Sequence, residues 1–227
     1  PTYQQHYSIP ESFGAKLDIL WLRPENDFLP DLEELESMLR PNTKLVVLNN
    51  PNNPTGALLM GPNLEEFVAV VRTSGAYILC DEVYRGTNQV GNGFAPAMAD
   101  IYEKGISVSS MSKVFSLAGI RLGWIAAPRE VLEAVSIRRD YNTISVGMID
   151  DYFASLALEN KEKIIGRSQK ITRGNLKILD DWVSKEQSIS YKKPQAGTTA
   201  LLKYDFDIPS REFCIQLLRE TGVMFTP

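Results

Sequence analysis

Three short apolar runs constrain this chain more than anything else in it: Lys44–Leu48, Tyr77–Cys80 and Ile106–Ser110. Each has the length of a strand rather than a helix, and each reads as a strand buried in a sheet. Helical patterns lie around them. From Asp31 the sequence D-L-E-E-L-E-S-M-L-R has Asp31 at the N-cap position, Glu34 three residues on and apolar residues at 32, 35, 38 and 39, with Pro41 ending it. Asn63–Ser74 repeats the pattern with Asn63 and Glu66. Leu17–Leu22 and Leu122–Ala127 read as two more strands, and Pro1–Gly14 as a loop and helix. Glu130–Asp140, Gly147–Asn160 and the long stretch Glu162–Glu186 read as helices, followed by strands at Ser188–Tyr191 and Ala200–Tyr204 and a helix over Ser210–Thr221 capped by Ser210. This order predicts an α/β fold: a mostly parallel mixed sheet flanked by helices, with part of a smaller α+β domain. The boundary is expected near 165, between a partial large domain at 1–165 and part of a small domain at 166–227, joined by the helix at about 162–186.

Composition narrows the function classes. The net charge of −4 with interspersed signs offers no electrostatic footprint for nucleic acid or an anionic membrane, which leaves small molecules as ligands. His6 is the only histidine, so a Ser-His-Asp triad and Cys/His zinc sites find no support, no metal site is expected, and chemistry is pushed toward an organic cofactor. Cys80 and Cys214 sit in apolar segments without ligand spacing and read as free thiols in a reducing, cytoplasmic compartment. No apolar run has the length of a membrane span and no signal-peptide profile opens the chain. A start at Pro1 without methionine, and an end at Gly222–Pro227 that reads as the beginning of another strand, lead us to expect further chain on both sides.

One stretch stands out chemically. Ile106–Trp124 sets a single lysine, Lys113, among Ser109, Ser110, Ser112 and Ser116, with Arg121 further along. A lysine held by apolar walls near fixed cations loses the hydration that keeps it protonated and becomes an amine nucleophile, and hydroxyls beside an arginine suit a phosphate. A ligand carrying both a carbonyl and a phosphate would use both. Taken alone, the stretch is equally compatible with an exposed lysine in a serine-rich loop. Two other loops follow strands in the same way: N-P-N-N-P-T-G at Asn50–Gly56, where two prolines and a glycine forbid regular structure, and D-E-V-Y at Asp81–Tyr84, at a strand's carboxyl end, where open parallel sheets place ligands. The Gly- and Asn-rich segment Gly86–Pro96 reads as a mobile loop beside that edge.

These three motifs, with R-L-G at Arg121–Gly123, occur in the order and approximate separation found in the class I/II aminotransferases, the fold type I enzymes dependent on pyridoxal 5'-phosphate. The chain resembles this aspartate aminotransferase-like family over nearly its whole length. The resemblance implies that Lys113 forms a Schiff base with the cofactor and then moves a proton between substrate and cofactor. It implies that Asp81 faces the pyridine nitrogen, and that Tyr84 and Asn53 donate hydrogen bonds to the phenolic oxygen. Ser110, Ser112 and Arg121 match phosphate contacts, and Tyr3 matches the aromatic that stacks on the ring; Glu82 reads as structural. By the same resemblance, the substrates are an L-amino acid and a 2-oxo acid, and the enzyme is a homodimer in which Tyr141–Gly147 approaches the neighbouring subunit. The arginine that grips the substrate carboxylate and the segment that covers the site would lie outside Pro1–Pro227. A-G-T-T at Ala196–Thr199 stands where relatives more often carry glycine followed by bulky residues, which leaves the substrate side chain open. The same cofactor residues also serve elimination, decarboxylation and cyclisation, and the fold serves as a ligand-sensing domain in some regulators.

Overall fold

A computed structural model describes all of Pro1–Pro227. Helix α1 (Gln5–Ser12) opens the chain, and a 3-10 turn at Pro24–Asn26 precedes α2 (Leu32–Met38). Then come β1 (Leu45–Asn49), α3 (Pro62–Ser74), β2 (Tyr77–Asp81), α4 (Met98–Ile101), β3 (Gly105–Ser110), a 3-10 turn at Ala118–Ile120 and β4 (Gly123–Ala126). Three helices follow, α5 (Arg129–Arg139), α6 (Met148–Glu159) and α7 (Lys161–Val183), before β5 (Ile189–Tyr191), β6 (Leu202–Tyr204) and α8 (Ser210–Thr221).

The main sheet has the order β1-β2-β3-β4. Its first three strands are parallel and β4 runs antiparallel to β3, so the mostly parallel mixed sheet expected from the sequence is present. Asn49 lies opposite Asp81, Asp81 opposite Val108, and Ser110 opposite Gly123. Parallel strands end on the same side, so the residues after β1, β2 and β3 share one edge. Strands β5 and β6 form a separate antiparallel pair.

Two apolar clusters hold this arrangement. Leu64, Phe67, Val68 and Val71 recur at helical spacing along α3 and meet Ile78 and Cys80 of β2, with Met98, Tyr102 and Leu35. Burying a side chain the size of Phe67 contributes about 1.5–3 kcal/mol. In the second cluster Met111, Val114 and Phe115 pack on Ala154, Ala157 and Ile165, which fastens the segment around Lys113 to α6 and α7.

Some local expectations change. Leu17–Leu22 is not a strand. It has no partner ladder, and its Leu20 packs against the α3 cluster instead. Asn63 does not cap α3, which starts with Pro62 after a left-handed Gly61. Ser210 is the first helical residue of α8 rather than its cap, and makes no capping bond. Helix α4 has four residues, too few to show a period in the sequence.

The loop Gly86–Pro96 is tied down rather than free. Gln169 Nε2 donates to the carbonyls of Gly86 and Asn92, and Arg173 donates to those of Asn88 and Gly91. Loop composition cannot reveal partners that lie 77–85 residues away.

The cap at Asp31 is as read, its side chain accepting from Glu34 N at 3.0 Å. Replacing Asp31 by alanine should therefore destabilise the protein by about 1 kcal/mol in urea titration, while Ser210→Ala should change it by less than about 0.5 kcal/mol. Equal effects at the two sites would contradict this difference in capping.

Candidate active site

The loop after β1 is shaped by side chains that replace a missing ladder. Asn49 Nδ2 donates to the Asp81 carbonyl at 3.0 Å, and Asn49 Oδ1 accepts from Asn53 N at 2.7 Å. Asn50 closes the loop from the other side, donating to Leu59 O at 2.8 Å and accepting from Leu59 N at 2.9 Å. The peptide bonds Asn50–Pro51 and Asn53–Pro54 are cis. Gly56 must be glycine: its φ is 70°, and a Cβ there would lie 2.5 Å from Pro194 Cβ. Its carbonyl accepts from Gln195 N and Ala196 N, which joins this loop to the segment ahead of β6. The Asn53 side chain is half-buried at the edge, and its amide makes no hydrogen bond within the chain.

Asp81 ends β2 with its carboxylate held from two directions. Oδ1 accepts from Val83 N at 3.1 Å, and Oδ2 lies 3.1 Å from His6 Nε2. Both side chains are 13% exposed. Thr2 Oγ1 lies 3.3 Å from His6 Nδ1, so the ring bridges Thr2 and Asp81 through its two nitrogens. Tyr3 meets the His6 ring edge-on with 5.6 Å between centroids. The sequence reading used His6 only to exclude other chemistries and missed this contact. The available signal was its spacing of three from Tyr3 at the start of a helix, which puts both rings on one side.

Glu82 turns the opposite way from Asp81 and is buried. It accepts from Met98 N at 2.7 Å and from Ser107 Oγ at 2.6 Å, and Arg85 Nε stands 4.0 Å away. Burial raises its pKa, against the pull of the Met98 and Ser107 hydrogen bonds and Arg85. Tyr84 is also buried. Desolvation pushes its hydroxyl pKa up; a hydrogen bond with Thr198 opposes this, and the charge of Asp81 adds to it. The phenol is thereby kept protonated as a donor.

Lys113 Nζ sits 5.9 Å from the centre of the Tyr84 ring. The lysine is exposed rather than walled in by apolar groups, because its neighbours Met111, Val114 and Phe115 take the inward positions. Beside it opens a cavity of about 420 Å³, bordered by Thr87, Ser116, Ser168, Asn175 and Thr198. Ser110 Oγ accepts from Ser112 N at 3.2 Å. The β3–β4 register and the Met111 N to Leu122 O bond bring Arg121 back toward Ser110. Arg121 is left-handed at φ 50° and donates through Nη1 to Ala118 O at 2.7 Å, leaving its other donors free.

One edge thus collects an amine, an oriented carboxylate, a buried phenol, a free amide, serines and an arginine. Asp81 retains lone pairs for a protonated ring nitrogen, Tyr84 and Asn53 offer donors, and Ser110, Ser112 and Arg121 offer anion contacts. This donor set fits pyridoxal 5'-phosphate. Tyr3 reaches the site through His6 and Asp81.

Comparison with known proteins gives a consistent picture. The family profile described as aminotransferase class I and II matches residues 1–227. Capreomycidine synthase of Streptomyces vinaceus is 29% identical over 100% of this chain and 58% of its own length. Aromatic-amino-acid aminotransferase 2 of Thermococcus litoralis is 30% identical over 89% of this chain and 53% of its own length. Among solved structures, a PLP-dependent aminotransferase from Streptococcus suis superposes with a TM-score of 0.95 at 45% identity, covering 100% of this chain and 60% of that one. The PLP-dependent cyclase OrfR superposes with a TM-score of 0.87 at 27% identity, covering 96% and 59%. The chain therefore spans little more than half the length of these two curated relatives.

The Glu82 environment yields a stability test. A raised carboxyl pKa contributes stability below the unfolded-state value of 4.5 and loses it as pH rises through the folded value. Glu82→Gln keeps an acceptor for Ser107 and Met98 without the buried charge. Relative to wild type it should gain stability as pH is raised from acid toward neutral, whereas Glu82→Ala, which leaves both donors unpaired, should lose about 2–3 kcal/mol at pH 7. Denaturant titrations of the two variants across this range check both, and a Gln variant whose difference from wild type does not change with pH would contradict the assignment.

Proposed function

Because this chain belongs to the aminotransferase class I and II family, we propose that it works in a pyridoxal 5'-phosphate-dependent aminotransferase that moves an amino group from an L-amino acid to a 2-oxo acid. Pyridoxal 5'-phosphate is the cofactor that the family and its structural neighbours imply. The observation that carries the reading is the meeting of Lys113, Tyr84 and a His6-held Asp81 at one edge of the sheet.

When bound, the cofactor supplies an aldehyde for an amine and a ring that accepts negative charge from the substrate α-carbon. Lys113 is the residue that would attach it, and its amine, once released by the incoming amino acid, would take the proton from that carbon and deliver it to the cofactor carbon that had carried the aldehyde. Arginine cannot replace it because it does not deprotonate, and serine cannot form an imine. Asp81 keeps the ring nitrogen protonated by its negative charge, and His6 fixes which way that carboxylate faces. Tyr84 and Asn53 donate to the phenolic oxygen, Ser110, Ser112 and Arg121 hold the phosphate, and Tyr3 covers the ring.

A second reading is cyclisation of an amino acid on the same residues. Its support is the similarity to capreomycidine synthase and to the cyclase OrfR.

We place this activity in a cytoplasmic homodimer, with 1–165 as part of a large domain and 166–227 as part of a small one. Free Cys80 and Cys214 suit a reducing compartment. No helix is long and apolar enough to cross a membrane. Tyr141, Ile144, Met148, Ile149, Tyr152 and Phe153 form an exposed apolar group on α6 and the segment before it, which supports contact with further polypeptide there.

Two measurements on the loaded full-length protein test the proposal. An added amino acid should bleach the visible absorbance, and only a 2-oxo acid should restore it; prompt release of ammonia or carbon dioxide, or a cyclic product, would replace transamination as the main reaction. Lys113→Ala should abolish the visible band and lower turnover by about three orders of magnitude or more. A variant that kept both would refute the role of Lys113.

A further inference from the structure

Gln169 and Arg173 stand one turn apart on α7, and both direct their side-chain donors at the main chain of the loop that follows Tyr84. Gln169 Nε2 donates to Gly86 O and Asn92 O, each at 3.0 Å. Arg173 donates through Nε and Nη2 to Asn88 O at 3.1 and 2.8 Å, and through Nη2 to Gly91 O at 2.9 Å. No carboxylate lies within ion-pair distance of Arg173, so carbonyl groups alone meet its charge. The fit is close: a Cβ on Gly93 would lie 2.0 Å from Gln169 Nε2.

The loop passes this hold on to Tyr84. Thr87 donates to the Tyr84 carbonyl twice, from N at 3.1 Å and from Oγ1 at 2.5 Å. Thr87 Oγ1 also accepts from Gly197 N at 2.7 Å, and Gln89 N donates to Gln195 O at 2.9 Å. The Tyr84 ring is packed at 3% exposure, so it has little freedom to turn independently, and its hydroxyl goes where its backbone goes. The groups facing it are Asp81, Tyr3, Thr198 and Lys113.

We propose that Gln169 and Arg173 are positioning residues that aim the Tyr84 hydroxyl through the loop Gly86–Phe94, so that the acidity of the bound cofactor depends on how α7 docks. This rests on the proposed donation by Tyr84 to the cofactor's phenolic oxygen. A donor there stabilises the deprotonated form, so a misaimed Tyr84 raises the pH at which the bound cofactor loses its proton.

The test titrates the visible absorbance of the loaded full-length protein against pH. Tyr84→Phe defines the full upward shift of the midpoint. Arg173→Met and Gln169→Leu should each shift it upward by a measurable fraction of that, and Arg173→Lys should restore part of the wild-type value. Arg173→Met combined with Tyr84→Phe should shift no further than Tyr84→Phe alone. Lys177→Ala, exposed on the same helix, should leave the midpoint in place. A folded Arg173→Met protein with the wild-type midpoint, or one whose shift adds to that of Tyr84→Phe, would overturn the proposal. A purely structural role would lower the melting temperature without moving the midpoint. Amide hydrogen exchange of the cofactor-free protein supplies a second readout that does not need the cofactor: Arg173→Met should speed exchange over Tyr84–Asn92 and leave β1 unchanged, and unaltered exchange in the loop would overturn the coupling. Failure of the wild-type protein to take up the cofactor would instead count against the proposed function, with the exchange result still deciding the coupling.

Discussion

The in-register parallel pairing of β1, β2 and β3 is the constraint on which the site depends. It places Asn49 opposite Asp81 and brings the ends of three strands to one edge, where the chain leaves regular structure and its side chains become free to do chemistry. Because side chains alternate along a strand, a slip of one residue in β2 would turn Asp81 inward and Cys80 toward the site. The α3 cluster guards against that slip, since Ile78 and Cys80 already occupy the apolar face against Leu64, Phe67, Val68 and Val71. The same alternation explains how adjacent acids part ways. Asp81 faces the edge beside His6, and Glu82 enters the interior beside Ser107 and Met98 N.

Beyond the strands, order comes from side chains that satisfy loop backbone over long separations. Asn49 and Asn50 close the loop after β1, Glu82 ties the loop after β2 to the start of α4, and Gln169 and Arg173 hold the rest of it on α7. An unpaired buried polar group costs about 1–3 kcal/mol, so each such bond is worth keeping. Three buried side-chain oxygens have no partner, Asn88 Oδ1, Gln89 Oε1 and Thr199 Oγ1, and Gln89 and Thr199 border the cavity beside Lys113. Such local concessions gather where a protein does its work.

Most of the architecture was legible in the sequence because it rests on period and punctuation. β1, β2, β3, β4 and the helices α5 to α7 appear within a few residues of where apolar spacing and turn chemistry put them. The failures are equally physical. Leu17–Leu22 has the composition of a strand but no neighbour to pair with, and Asn63 and Ser210 resemble caps although Pro62 and Pro209 shift the helix starts. The segment Gly86–Pro96 has the residues of a mobile loop, and only two side chains from α7 reveal that it is held.

What the sequence determined by itself was the chemical inventory: one lysine among serines, an acid and a phenol three residues apart, an amide in a proline-bound loop and an arginine past a turn. These follow from residue type and order, which need no coordinates. Tertiary structure alone decided their relations. It set His6 against Asp81 across 75 positions, turned Lys113 outward over Tyr84 while its neighbours packed inward, and linked the Tyr84 loop to α7. Pairings of this kind depend on where the chain returns in space, and local propensity carries no information about that return.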